Sequence, residues 1–161
     1  MNNFRLTLLA IVGCIVLVTA GCAPKTAETE CNAIKEEAAK INSRAPSKVD
    51  FMTTLVGVSV TYSDGTCDIH VTSKIDEVKF FEVFVQVNFE ATPLQLDLLQ
   101  TSQAIEYLNS EEGQNFYRDV ARKALKDNPI IKTSHKDVRA TYVYIFDKGI
   151  IKPLKLTINN Q

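Results

Sequence analysis

The sequence predicts an α+β domain: an antiparallel sheet of about five strands, in the order β-β-β then β-β, with three helices packed on one face. Three observations carry that prediction. Two segments, 56–71 and 140–158, alternate apolar and polar residues on either side of a turn signal. Residues 80–89 alternate in the same way without a turn partner of their own. Three further segments repeat apolar residues at helical spacing between capping and stop signals.

The first helix is expected over residues 29–44. Thr29 is its candidate N-cap, and acids fill the first turn. Ile34, Ala38, Ile41 and Ala45 form one stripe, which Cys31 extends backwards by three residues. Cys31 is therefore placed on the core side. In the hairpin that follows, Val56, Val58, Val60 and Tyr62 share a face, and Asp64-Gly65 is a two-residue turn signal. A two-residue loop pairs Tyr62 with Cys67, Val60 with Ile69 and Val58 with Val71. Period and turn agree on this register, so Cys67 points with the valines toward whatever covers them. His70 falls on the opposite face beside Asp68, as a solvated strand residue.

Phe81, Val83, Val85, Val87 and Phe89 alternate with Glu82, Phe84, Gln86 and Asn88, which predicts a third strand over 80–89. Phe80 and Phe84 then lie on its nominally polar side. They pack against an adjacent segment or stand as an exposed contact patch. Thr92-Pro93-Leu94-Gln95 has the form of a capping box with proline at the first helical position. The second helix is expected to run from there to Leu108, with Leu94, Leu98, Ile105 and Leu108 on one side. Ser110 caps a third, whose rows are Phe116, Val120, Ala124 and Tyr117, Ala121, Leu125; Asn128-Pro129 stops it. In the last segment Ala140, Tyr142, Tyr144 and Phe146 lead into Asp147-Lys148-Gly149, read as a three-residue turn. Ile150, Leu154, Leu156 and Ile158 return on the matching face. Pro153 cannot donate to a ladder, which predicts an edge strand and makes Pro153 a candidate contact element.

The chain opens with Arg5, the one charge before Lys25, then an apolar run over 6–18 and small residues after it. Residues 17–22, Leu17-Val18-Thr19-Ala20-Gly21-Cys22, resemble the lipobox of bacterial lipoproteins. Thr19 departs from the leucine most usual there. The resemblance covers only the first 22 residues. It implies removal of residues 1–21 and acylation of Cys22 by a diacylglycerol and an N-linked fatty acid such as palmitate. In a Gram-negative host, Ala23 after that cysteine implies an outer-membrane protein facing the periplasm. Two or more acyl chains anchor stably, where one is marginal. The alternative is a retained signal-anchor, since the uncharged stretch 6–24 approaches the ~20 residues of a spanning helix.

This reading divides the chain into a signal peptide (1–21), a lipidated tether (22–30) and one domain (31–161). The net charge of −1 becomes −2 once Arg5 is removed with the signal. Without a basic excess, phosphate-driven nucleic-acid binding is not expected. Of four cysteines, Cys14 leaves with the signal and Cys22 is the acylation site. Cys31 and Cys67 remain as an even pair, for which an oxidising compartment predicts a disulfide worth about 3–4 kcal/mol. The alternative for this pair, a metal site, lacks ligands, because His70 and His135 show no ligand spacing.

No phosphate-binding loop, zinc-protease or serine-hydrolase motif is present, so no catalytic residue and no cofactor is expected. His135, in a turn before a strand, is a weak catalytic candidate. The leading functional expectation is a non-enzymatic, membrane-tethered envelope protein with an assembly or inhibitory role, acting through a protein partner that the sequence does not identify. A module for a small apolar ligand or lipid is the alternative, and needs an apolar cavity of several hundred Å³. A hydrolase of envelope polymers is the third, and needs a cleft lined by paired acids.

Overall fold

A computed structural model describes residues 26–90, 92–126 and 135–159. The elements run α1 (Ala27–Asn42), β1 (Ser47–Lys48), β2 (Thr53–Ser63), β3 (Thr66–Ile75) and α2 (Glu77–Phe89), then a 3₁₀ turn (Pro93–Gln95), α3 (Leu98–Asn109), α4 (Glu111–Lys126), β4 (Val138–Phe146) and β5 (Leu154–Asn159). The five strands form one sheet in the order β1-β2-β3-β4-β5. The α+β class with helices over one face is therefore as expected, but two features are not. The sheet is mixed, because β3 and β4 pair in parallel, and there are four α-helices among the described residues.

Both differences follow from residues 80–89, which are helical, not a strand. Asp76 caps this helix, its Oδ1 accepting from the Lys79 amide at 3.2 Å, while Asp147 Oδ1 accepts from the Glu77 amide at 3.0 Å. Seven of the ten residues from 80 to 89 are apolar. Such a run satisfies a period of 2 and of 3.6 together, and the capping acid decides between them. Phe84 and Val85 are buried, with Phe80 and Phe81 half-buried beside them, which is helical spacing. With no strand after β3, the chain crosses over through α2, α3 and α4 and returns parallel to it, as such pairs require.

The first hairpin has the expected register: Tyr62 opposes Cys67, Val60 opposes Ile69 and Val58 opposes Val71. Asp64 and Gly65 both take positive φ, 51° and 78°, as the tight turn demands. One shift interrupts the ladder between Leu55 and Gly57. The bulge makes Val56 the extra residue and leaves it 46% exposed, so it does not share the face of Val58. Asn42, the last residue of α1, closes the strand here: Val58 N donates to its Oδ1 at 2.8 Å and its Nδ2 donates to Val58 O at 2.7 Å.

Helix α1 begins two residues earlier than expected. Thr26 is the N-cap and Thr29 its reciprocal partner three residues on. Residues 27–30, expected in the tether, thus belong to the domain. Cys31, Ile34 and Ala38 are buried at 0%, 0% and 4% exposure and lie on β2 and β3. Cys31 is bonded to Cys67, their Cα atoms 5.5 Å apart, which fixes α1 to the sheet.

The second predicted helix is broken in two. Thr92 and Gln95 form their box around the 3₁₀ turn, and Asp97 and Gln100 form a second that starts α3. Leu94 and Leu98, expected on the core side with Leu108, are 98% and 92% exposed; Leu108 is buried. Ser110 caps α4 as expected, accepting from Gly113 N at 3.0 Å. Ala121 and Leu125 are buried, and the stop at Asn128-Pro129 lies outside the described residues.

Leu154, Leu156 and Ile158 face the core opposite Tyr144, Tyr142 and Ala140. The connection is not a three-residue turn, since pairing ends at Tyr144–Leu154. The buried Glu77 carboxylate organises this longer loop, accepting from the amides of Lys148, Ile150 and Ile151 at 3.0, 3.3 and 2.7 Å. In consequence Ile151 turns inward at 3% exposure and Ile150 outward at 56%.

Candidate functional site

Of the residues singled out from sequence, Cys22 lies outside the described residues. Phe80 and Phe84 pack inward and do not stand out as an exposed patch, though both line the groove between α2 and α4. Phe84 is 5% exposed, and Phe80 meets Phe146 and Tyr117 edge-on with ring centres 5.0 and 5.5 Å apart. The reason is the helical form of 77–89, which turns positions 80 and 84 to the same inward side. Pro153 is exposed directly before β5, which is an edge strand. His70 faces the open side of the sheet opposite Ser59. His135 has a structural part, its amide donating to the buried Glu30 carboxylate at 2.9 Å and its Nδ1 accepting from Asp137 N at 3.2 Å.

Between sheet and helices lies an apolar cavity of about 70 Å³, lined in part by Met52, Ile75, Tyr117, Tyr144 and Leu154. Ligand sites measure roughly 300–1,000 Å³. Among the described residues, this cavity is smaller than that range. Burial pushes the hydroxyls of Tyr117 and Tyr144 well above the usual tyrosine range, and that of Tyr142 up to about 12.

The helical layer offers a different feature. Between α2 and α4 runs an apolar groove of about 110 Å³, lined by Phe80, Phe84, Val87 and Asn88 from α2 and by Phe116, Tyr117 and Val120 from α4. Phe84 forms its floor, with Phe89 and Tyr117 against it at ring-centre distances of 6.0 and 6.2 Å. Val87 and Phe116 are 56% and 47% exposed on its walls, and Phe89, packed on Phe84, is 45% exposed. After Glu90 the 3₁₀ turn comes back against α2 and adds Leu94 to the exposed set, and the first turn of α3 adds Leu98 and Leu99.

These leucines are held outward by their own backbone. In the first box Gln95 Oε1 accepts from Thr92 N at 2.7 Å. In the second, Gln100 N donates to Asp97 Oδ1 at 2.7 Å while Asp97 N donates to Gln100 Oε1 at 3.0 Å. The polar caps order the segment locally, so its conformation needs no leucine burial. Burying one leucine side chain stabilises by about 1.5–3 kcal/mol, so leaving several outside forgoes several kcal/mol. Exposed apolar side chains gathered in this way are a feature of contact sites when they form one patch. Sequence reasoning misses it because a strand over 80–89 turns positions 87 and 89 inward, and a helix from Pro93 turns 94 and 98 to the core. Asp76 as a candidate N-cap, with Glu77 in the first turn, is the signal that could have found the first pair.

No protein-family model matches the chain, and no curated protein does. Among solved structures, one from Pseudomonas aeruginosa described as that of a secreted protein is similar at 12% identity and a TM-score of 0.37, covering 85% of this chain and 96% of that one.

Proposed function

We propose that this chain is a lipid-anchored protein of the cell envelope that works by binding another envelope protein through the surface of α2, the 3₁₀ turn and the first turn of α3, with Phe116 of α4. One observation carries the contact reading: Leu94 and Leu98 are 98% and 92% exposed on a segment ordered by two capping boxes, whose 3₁₀ turn packs against α2, the helix that carries Val87. The anchoring part rests on the resemblance of residues 17–22 to a lipobox. With α1 starting at Ala27, acylation at Cys22 leaves a tether of only a few residues, about 3.3 Å each when extended. The domain would then work close to the membrane surface, and a partner in that layer is the natural occupant of an apolar face.

Two experiments test this reading. A photo-crosslinking residue at Leu98 or Phe116 is expected to yield a discrete protein adduct in cells, and one at Thr157 on the open sheet face is not. Leu94→Ser/Leu98→Ser should abolish the adduct formed from Phe116. Equal adducts at Thr157, or none from the helical face, would remove the contact surface. For the anchor, a fatty-acid analogue should label the wild type and not Cys22→Ser; an unlabelled wild type rejects acylation.

A further inference from the structure

The open face of the sheet carries a second concavity, of about 250 Å³, away from the apolar groove. Lys48, Thr54 and Lys74 line it from the strands, and Asp76, Lys79 and Asp147 from the adjoining loops and α2. The ladder explains the first three. Lys48 lies directly opposite Thr54, and Thr54 directly opposite Lys74. Opposed residues on neighbouring strands project to one face, and each strand adds about 4.8 Å. Two lysines, their Cα atoms about 10 Å apart on that spacing, therefore flank one hydroxyl.

The remaining charges there are already engaged. Lys79 Nζ lies 3.2 Å from Asp76 Oδ2 and donates to the Phe51 carbonyl at 3.2 Å. Asp147 accepts from the Glu77 amide and lies 3.9 Å from Lys148. Among the described residues, Lys48 and Lys74 have no carboxylate at ion-pair distance. Both are exposed. Phe51, which also lines the concavity, is 48% exposed and supplies an apolar wall.

We infer that this concavity binds a phosphomonoester, with its dianion between Lys48 and Lys74, one oxygen accepting from the Thr54 hydroxyl, and its organic substituent against Phe51. With Asp76 paired to Lys79 and Asp147 lying 3.9 Å from Lys148, Lys48 and Lys74 are the two ammonium groups left to a ligand. A phosphomonoester, which carries about −1.5 to −2 at pH 7 and offers three acceptor oxygens, meets both and the Thr54 hydroxyl, where a carboxylate brings one charge and two oxygens. Lysine is a point-charge binder of such groups. Soluble esters and lipid headgroups both present this chemistry.

The test uses the full chain in neutral detergent, titrated with inorganic phosphate, phenyl phosphate, dihexanoyl phosphatidic acid and benzoate, and read by calorimetry. Phenyl phosphate is expected to bind at least about tenfold more tightly than benzoate and to weaken as salt rises. Lys48→Gln/Lys74→Gln should lose at least about tenfold in phosphate affinity. Lys155→Gln, on the same open face in β5, should lose nothing. Phe51→Ala should weaken phenyl phosphate and leave inorganic phosphate unchanged. Preference for the short-chain lipid over phenyl phosphate assigns a headgroup, and the reverse a soluble ester; either supports the site. Benzoate binding as tightly as phenyl phosphate, no phosphate binding at about 10 mM, or an equal loss in Lys155→Gln would overturn it. An unchanged melting temperature in the double variant excludes unfolding as the cause of its loss.

Discussion

Removing the Cys31–Cys67 bridge by the double substitution Cys31→Ala/Cys67→Ala is expected to cost about 4 kcal/mol in the chain-entropy model. The bridge joins residues 36 apart. A loop of that size removes about 13 cal/mol/K from the unfolded chain, which is about 4 kcal/mol at 25 °C. Against a total of ~5–15 kcal/mol for a domain, that is a large share. At this chain length each kcal/mol moves the melting temperature by about 3–4 °C, so a fall of ~12–15 °C follows. Both sulfurs are buried, so two small cavities add to the loss. The assay is urea unfolding followed by far-ultraviolet circular dichroism, alongside thermal melts. Because the constraint acts on the unfolded chain, the denaturant slope should rise as that chain expands, with the folded spectrum unchanged. Cys31→Ala alone should cost nearly as much as the double variant, since either breaks the same bond. A loss below ~1 kcal/mol with an unaltered slope would refute the entropic reasoning.

Glu77→Gln replaces a buried carboxylate that accepts from three amides with a group that must turn a donor toward one of them. It should cost about 2–4 kcal/mol in urea unfolding, and a loss under ~0.5 kcal/mol would show that the 147–151 loop is held by other means. Gly113→Ala should destabilise by about 1–3 kcal/mol although alanine is the better helix former, because the added methyl would overlap the Tyr107 carbonyl; a stabilised variant would refute that close approach. Tyr142, pushed by burial up to about 12, and Tyr117 and Tyr144, raised in the same sense, stay protonated in the fold at pH values where unfolded tyrosine ionises near 10. Raised folded pKa values mean that this stability is whole below pH 10 and is lost between pH 10 and 12, about 3 kcal/mol from Tyr142 alone; melting temperatures that hold level from pH 9 to 12 while tyrosinate absorbance rises would contradict it.

How much of this fold is legible in the sequence depends on whether two independent signals meet at the same residues. Cys67 is placed by hairpin register and Cys31 by helix periodicity, and both signals are short-range, so their pairing can be read from the chain itself. The second hairpin is legible in its pairs and not in its turn. Gly149 has the positive φ (74°) that suits a tight turn, but Glu77, some 70 residues earlier, captures the amides around it and lengthens the loop. No local pattern announces a partner that distant. Val56 escapes for a related reason: one extra residue in β2 reverses the face of what precedes it, and nothing in an alternating valine run marks where the bulge falls.

Residues 80–89 show why the candidate surface is harder to read than the core. A strand and a helix through this run bury different residues and so expose different ones. As a strand, the run puts Val87 and Phe89 inside and makes Phe80 and Phe84 the candidate contacts. As a helix capped by Asp76, it inverts the assignment, and the structure has the second arrangement. Core prediction tolerates such an error, because any apolar run supplies enough buried area. Surface prediction does not, since it depends on the few side chains left over. The same logic applies to Leu94 and Leu98, where the expected capping box is present but does not open a helix that would bury them. The box is complete in itself, and a second box, opening at Asp97, restarts the chain in a new direction. Two short-range polar motifs thus order a segment whose leucines stay outside the core, and that conflict between local order and unburied apolar area is the reason the proposal places the contact there.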